Sequence, residues 1–394
     1  MPSEAGSAQV GCSGGNVSTA RIERLHTCQH LSRTVLALAL LSTALASAQE
    51  RKSAHWASSA IAPFPSQEQQ PNWVTITNRR IIEDGSTDHS YNSVPAVVDA
   101  RGGDYVLSYR KGTGHSDSPW VILRHSSDNG ATWGPELFQW NTNSFDPTLA
   151  KTPLQGDLLI EFGKTDPSGA TGAAYARSSD GGFSWSNFTF FDSPPSSTVF
   201  TPTLYLMDGL TIYAAGYGTL SDGSNDASLW VSTDDGYTWV KRSTMRQAGD
   251  VGINETTLMK VGPTTLLAMS RDDAGTKTWA HFSNDMGFTW GAQIDYTAQL
   301  GVLQLPQLLQ TKAALLLFGR NPTSNELVVF GSFDGGQTFT HRTVLDTYTG
   351  RSFDGGYCWP ILIRDGIFVV YYADSEGLRL PDIKSLILQW KKVR

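Results

Sequence analysis

One eight-residue pattern, Ser-x-Asp-x-Gly-x-Thr-Trp, recurs along the chain and decides what it can fold into. It reads Ser126-Ser-Asp128-Asn-Gly130-Ala-Thr132-Trp133 and begins again at Ser178, Ser232, Ser283 and Ser332, with Ser184 in place of the threonine once and Phe339 in place of the tryptophan once. Successive starts are 52, 54, 51 and 49 residues apart. A period of that length holds four short antiparallel strands, which is the blade of a β-propeller. The pattern itself reads as scaffold. Asp and Ser side chains bond neighbouring backbone N–H groups, Gly accepts positive φ, and the closing aromatic packs between adjacent units.

Three strand-like runs precede each box and a fourth follows. For the first box these are Val94–Val98, Tyr105–Tyr109 and Val121–His125, then Leu137–Trp140. The units begin near residues 92, 145, 199, 252, 303 and 357. The last, with Trp359–Ile363, Ile367–Tyr372 and Ile383–Trp390, lacks a fourth strand, and Trp73–Ile82 is spare at the other end. Pairing the two closes the ring and removes its open edges. The expected fold is all-β, a six-bladed propeller over residues 73–394 closed by the N-terminal strand against the last blade. One domain replaces the two or three that 394 residues would suggest by length.

Residues 1–48 read as a signal peptide: Arg21, Arg24 and Arg33 precede the apolar run Val35–Ala48, which ends on Ala46-Ser47-Ala48. That run is too short to span a bilayer, so a secreted chain with no membrane span is expected. Residues 49–72, with Pro63, Pro65 and Pro71, read as a flexible tail. Removal of 1–48 leaves Cys358 as the sole cysteine and excludes an internal disulfide. Asn187 and Asn254 open glycosylation sequons.

A net charge of −7 without clustered Lys or Arg excludes nucleic acid as a partner. His89, His115, His125, His281 and His341 lack metal-ligand spacing, and no glycine-rich loop runs from a strand into a helix. No metal and no cofactor are expected. A monomer acting on a glycan or oligosaccharide is. In an up-down blade, the start of the innermost strand and the end of the second share one face, opposite the boxes. That mouth gathers Ser93, Arg110, His115 and Asp117; Asp146 and Glu161; Thr201 and Tyr217; Asn254, Glu255 and Arg271; Gln304 and Arg320; and Tyr357, Trp359, Tyr371 and Asp374. Carboxylates, arginines and rings suit a sugar, whose hydroxyls take charge-assisted bonds and whose C–H faces take aromatics. Cys358 alternates away, toward the packed side.

Two segments carry a family resemblance beyond the boxes. Asn254-Glu255-Thr-Thr-Leu, followed by Leu-Leu-Ala-Met-Ser270-Arg271, and the pair Gly356-Tyr357 resemble the sialidase superfamily of Asp-box (bacterial neuraminidase repeat) propellers. The resemblance implies that Tyr357 is the nucleophile, Glu255 its base and Arg271 one arginine of a carboxylate clamp. It implies an aspartate as acid/base, a position that counting forward from Pro95 gives to Asp117 and counting back from Arg124 gives to His115. A neutral phenol suits a sugar with a carboxylate on the reacting carbon, where a carboxylate nucleophile would be repelled.

The chain departs from the family where the clamp is built. The first clamp arginine is replaced in Ser93-Val94-Pro95, and Asn325 stands where the third is expected. Arg110 and Arg320 lie close enough in sequence to compensate. The expected function is a secreted, sialidase-like exo-glycosidase using Tyr/Glu chemistry on a terminal sugar, sialic acid or a related acidic sugar favoured. Three alternatives stand beside it. An exo-arabinanase-type hydrolase would use a carboxylate pair such as Glu161 and Glu255, a uronate-directed polysaccharide lyase would use His115, Arg271 and Tyr357, and a non-catalytic propeller would bind glycan only.

Overall fold

The computed structural model describes residues 73–141, 146–165, 171–191, 199–200, 203, 205–219 and 223–390. The expected signal peptide and tail, and Thr201, lie outside the described residues. Six antiparallel sheets follow one another along the chain. Blade 1 runs from Tyr91–Asp99 through Tyr105–Gly112 and Trp120–Ser126 to Phe138–Asn141. The innermost strands of the next blades are Thr148–Lys151, the pair Val199–Phe200 and Leu206–Asp208, Ile253–Lys260, and Gln304–Gln310. In blade 6, Gly355–Ile363, Gly366–Ala373 and Asp382–Trp390 are completed by Val74–Glu83 from the N-terminal side.

That closing strand is antiparallel, with Val74 opposite Trp390 and Ile76 opposite Leu388. Trp73 anchors it, with its ring 5.4 Å from Trp390 and its Nε1 donating to Thr343 Oγ1 of blade 5 at 2.7 Å. The edge of Asp382–Trp390 that a three-stranded blade would expose is thereby paired.

The boxes are the turns between third and fourth strands, and each repeats one hydrogen-bond circuit. In blade 3, Gly236 N–H donates to Ser232 Oγ at 2.8 Å, Ser232 Oγ donates to Asp234 Oδ1 at 2.8 Å, and Thr238 N–H donates to the same oxygen at 2.9 Å. Gly236 sits at φ +85°, and a Cβ there would stand 2.8 Å from Leu159 Cδ1 of the preceding blade. Glycine is needed on both counts. Trp239 and Trp290, the closing aromatics of two boxes, are buried with residues of adjoining blades.

Apolar packing lies between the sheets. One cluster joins blades 2 and 3, others join 3 with 4, 4 with 5 and 5 with 6, and the largest carries blade 6 through blade 1 to blade 2. Each sheet is therefore apolar on both faces, and the polar chemistry is confined to strand ends. On the box face, a cation or imidazole of one blade lies on the aromatic that follows the box glycine of the next. His125 meets Phe183 with centroids 4.4 Å apart, Arg177 lies 3.9 Å over Tyr237, and Arg242 lies 4.5 Å over Phe288.

Candidate active site

Four innermost strands break their pairing register at the end opposite the boxes. The shifts fall between Ser93 and Ala96, Ile253 and Thr256, Gln304 and Gln307, and Gly355 and Cys358. Within them Val94, Leu305 and Gly356 have φ of +47°, +43° and +87°. A bulge re-aims the side chains beside it. A β-branched residue at positive φ is strained, and such strain gathers at functional sites.

The bulges of blades 4, 5 and 6 build one cluster. Tyr357 Oη donates a short hydrogen bond to Glu255 Oε1, bridging 102 positions of sequence. Arg271 Nη1 donates to the same oxygen at 3.1 Å, and Leu305 N–H donates to Glu255 Oε2 at 2.7 Å. Three donors on one carboxyl group suit a carboxylate, which only accepts. Burial pushes the Tyr357 phenol well above the usual tyrosine range, opposed by Arg320. Tyr217 is also raised, by burial and then by the charge of Glu255.

Arg271 keeps free donors: its Nε is buried without a hydrogen-bond partner. The other two arginines are committed. Arg110 Nη1 pairs with Asp146 at 2.8 Å, while its Nε and Nη2 donate to the carbonyls of Ser118 and His115 at 3.3 and 3.4 Å. Arg320, only 3% exposed, donates to Gln304, Gly355 and Tyr372. Both were expected on the substrate, and in the structure their donors are turned to protein partners. Arg110 ties Asp146 to the loop that carries His115, and Arg320 is a buried support.

His115 and Asp117 part company. Tyr91 Oη lies 3.4 Å from His115 Nδ1, donates to the Phe353 carbonyl at 3.0 Å and reaches Asp354 Oδ1 at 3.1 Å. Tyr372 Oη donates to that same Phe353 carbonyl at 2.9 Å and accepts from Arg320 Nη1 at 3.2 Å. A chain of bonded groups thus joins His115 to the support of Tyr357. Burial lowers the His115 pKa, so its imidazole is neutral at pH 7. Asp117 is exposed and its carboxylate bonds Thr113 of its own loop.

Four more of the residues expected at the mouth are buried in the structure. Trp359 is buried in the apolar cluster that runs from blade 6 to blade 1. Tyr371 is buried on the other face, its Oη donating to Asp346 at 2.8 Å. Glu161 is only 1% exposed, and burial raises its carboxyl well above the usual range. Asp374, also named for the mouth, spends its carboxylate on the backbone N–H groups of residues 376–379.

Tyr372, Tyr91 and Asp354 were missed. Counting back from the turn between Ile363 and Gly366, which face each other, sets Tyr357 opposite position 372. Facing residues of a hairpin point to one side. Tyr371 falls opposite Cys358, the residue already expected to face the packing.

Fold and boxes together define a six-bladed Asp-box β-propeller. A family model described as a BNR repeat-like domain matches residues 141–370, and the chain belongs to that family. Among solved structures it is similar to a protein of unknown function from Dyadobacter fermentans, with 20% identity and a TM-score of 0.68 over 81% of this chain and 100% of that one. It is similar to the Hadza microbial sialidase Hz136, at 18% identity and TM-score 0.63 over 80% of this chain and 68% of that one. The NanB sialidase of Streptococcus pneumoniae superposes at TM-score 0.58 with 13% identity, covering 79% of this chain and 70% of that one. Likeness at these identities is one of fold. No curated protein matches the chain in sequence.

Proposed function

We propose that this protein is a secreted exo-glycosidase that removes a terminal acidic sugar by attack of Tyr357. The observation that carries the reading is the hydrogen bond from Tyr357 Oη to Glu255 Oε1. A phenol is a weak nucleophile until a base takes its proton, and here the base is already in contact. The phenol oxygen would bond to the anomeric carbon as its proton passes to Glu255 and the leaving oxygen takes a proton from an acid across the pocket. Water would then attack the anomeric carbon, giving a proton to the conjugate base of that acid, and displace the tyrosine, whose oxygen takes its proton back from Glu255 as the sugar leaves.

Arg271, with its unpartnered Nε, is the cation left to meet a carboxylate on the reacting carbon. One arginine instead of a clamp of three supports a weaker grip on that group, and a substrate class broader than sialic acid alone. The apolar run at 35–48 supports export, which fits a glycan encountered outside the cell. Incubation of the chain with a panel of fluorogenic glycosides, including sialic acid and arabinose derivatives, tests the reading. Release from an acidic sugar, abolished in Tyr357→Phe, supports it. Glycan binding with no release from any substrate overturns it in favour of a binding module.

A uronate lyase is the second reading, and the neutral His115 favours it. A neutral imidazole can take the C5 proton of a uronic acid while Arg271 quiets its carboxylate. The unsaturated product of that reaction, absorbing at about 235 nm, would distinguish elimination from hydrolysis.

A further inference from the structure

Arg320 lies on the second strand of blade 5 with its guanidinium against blade 6, and it is fully enclosed. Its Nε and Nη2 donate to Gln304 Oε1 at 3.0 and 2.5 Å, and its Nη1 donates to the Gly355 carbonyl at 3.3 Å and to Tyr372 Oη at 3.2 Å. Every one of these acceptors is neutral. Among the described residues no carboxylate lies within ion-pair reach of it. A guanidinium keeps its charge wherever it is placed, and a buried charge without a counter-ion is costly.

What this cation faces is the Tyr357 ring, whose centroid is 3.8 Å from Arg320 Cζ. The face of a neutral phenol offers a cation only a quadrupole, while a phenolate offers a full counter-charge. The arrangement is thus better matched to Tyr357 after loss of its proton than before. Gln304 keeps it so, because a glutamate there would cancel the charge. Its neighbour Leu305 holds Glu255 through the backbone, so two consecutive residues of one bulge fix the cation and the base on either side of one phenol.

We propose that Arg320 is a positioning residue for Tyr357, its charge, which no carboxylate pairs directly, held against the phenol to receive the negative charge left when the proton moves to Glu255. The inference rests on the reading of Tyr357 as the nucleophile and assigns Arg320 a task other than contact with substrate. Burial drives the Tyr357 phenol upward, and Arg320 is the strongest influence in the opposite direction.

The test is spectroscopic and needs no substrate. Trifluorotyrosine placed at position 357, whose phenol ionises well below tyrosine, reports its titration by fluorine NMR in the full chain. Arg320→Met is expected to move the midpoint up by about 1–3 pH units, the usual effect of removing an adjacent opposite charge. Arg320→Lys, which keeps a charge in place, is expected to move it less. A midpoint in Arg320→Met that stays or falls overturns the proposal, as does an equal rise in Arg320→Lys, which would assign the effect to packing. Should Arg320→Met fail to fold, Gln304→Glu keeps the guanidinium and sets a carboxylate on it. A raised midpoint is expected there, and an unchanged one overturns the proposal. A glycoside panel that fails while the midpoint moves would retire the glycosidase reading and leave this charge relationship standing.

Discussion

Leu305 directs its backbone N–H at Glu255 Oε2 from 2.7 Å while its own φ stands at +43°. A buried leucine adopts that conformation only when its surroundings compel it. Here the compulsion is the bulge that also carries Gln304 and Pro306, wedged between blades 4 and 6. Glu255 is held on both oxygens before any substrate arrives, which is what a base requires if proton transfer is to cost no rearrangement.

The first prediction follows from that grip. In Glu255→Gln the amide presents N–H groups where Tyr357, Arg271 or Leu305 also donate, so at least one donor pair is opposed. Turnover of the best glycoside in the panel should fall by about 10²-fold or more, the range lost with a general base. Tyr357→Phe should fall at least as far. Initial rates measured on purified, folded protein decide it, and a variant retaining activity within a few-fold of wild type would remove the pair from the chemistry.

Arg271 should read out as binding. Arg271→Ala removes the donors that Arg110 and Arg320 cannot supply, because theirs are already engaged. A charge-assisted bond of about 1.5–3 kcal/mol corresponds to a rise in KM of roughly 10–100-fold for an acidic sugar. A neutral glycoside should be affected far less. Equal losses on both would mean that Arg271 serves only to hold Glu255.

His115 and Asp117 are separated by substitution and by pH. Asp117→Asn, altering an exposed loop contact, should leave rates within about twofold, whereas His115→Ala should lose about 10²-fold or more. The His115 pKa is depressed by burial, so the imidazolium is the form that disappears as pH rises through a value below that of an ordinary histidine. An acid in glycoside cleavage therefore gives kcat/KM falling with rising pH on the acid side of neutrality. A base in elimination gives the opposite slope over the same window. A profile unchanged in His115→Ala would take His115 out of both.

The blades were legible in the sequence because the box turn demands its residues. Gly236 needs its positive φ and its lack of a Cβ, and Asp234 has backbone donors to meet, so selection has nothing else to use there. The meeting of Glu255, Arg271 and Tyr357 was legible too, since each begins or ends a strand at one face. Trp359 and Tyr371 were misplaced for a physical reason. Both faces of blade 6 are buried against other blades, so alternation of polar and apolar residues, which normally tells the two sides apart, is absent. The bulge at Gly355–Cys358 then shifts the pairing at the very end where the site lies. Only hairpin counting puts Tyr372 on the side of the blade that Tyr357 shares, where their ring centroids lie 6.1 Å apart.

Those placements make their own prediction. Trp359→Ala should cost about 3–5 kcal/mol in unfolding free energy, as a large ring leaves a packed interior. Tyr371→Phe should lose only the bond to Asp346, lowering stability by about 1 kcal/mol and leaving turnover unchanged. Denaturant unfolding alongside kinetics tests both. A fall in turnover for Tyr371→Phe with stability intact would return it to the site.

Stability should also depend on pH through Asp382, far from the boxes. Burial pushes its carboxyl from 3.8 up to about 6, although Oδ1 accepts the Gly85 N–H at 3.1 Å. The native chain therefore keeps a proton there that the unfolded chain has given up between those two values. The stabilisation tied to that proton is complete below 3.8 and is lost as pH rises through about 6. Asparagine is neutral at every pH and its Oδ1 can keep the Gly85 bond. Asp382→Asn should accordingly raise Tm at about pH 7.5 by roughly 2–4 °C, a modest gain because solvent screens part of the effect. At about pH 4 the two proteins should melt together, since wild type then carries the proton itself. Calorimetry at both pH values checks the pair of outcomes. A variant that is less stable than wild type by the same margin at each pH would show that Asp382 serves the fold through its bond to Gly85 and not through its charge.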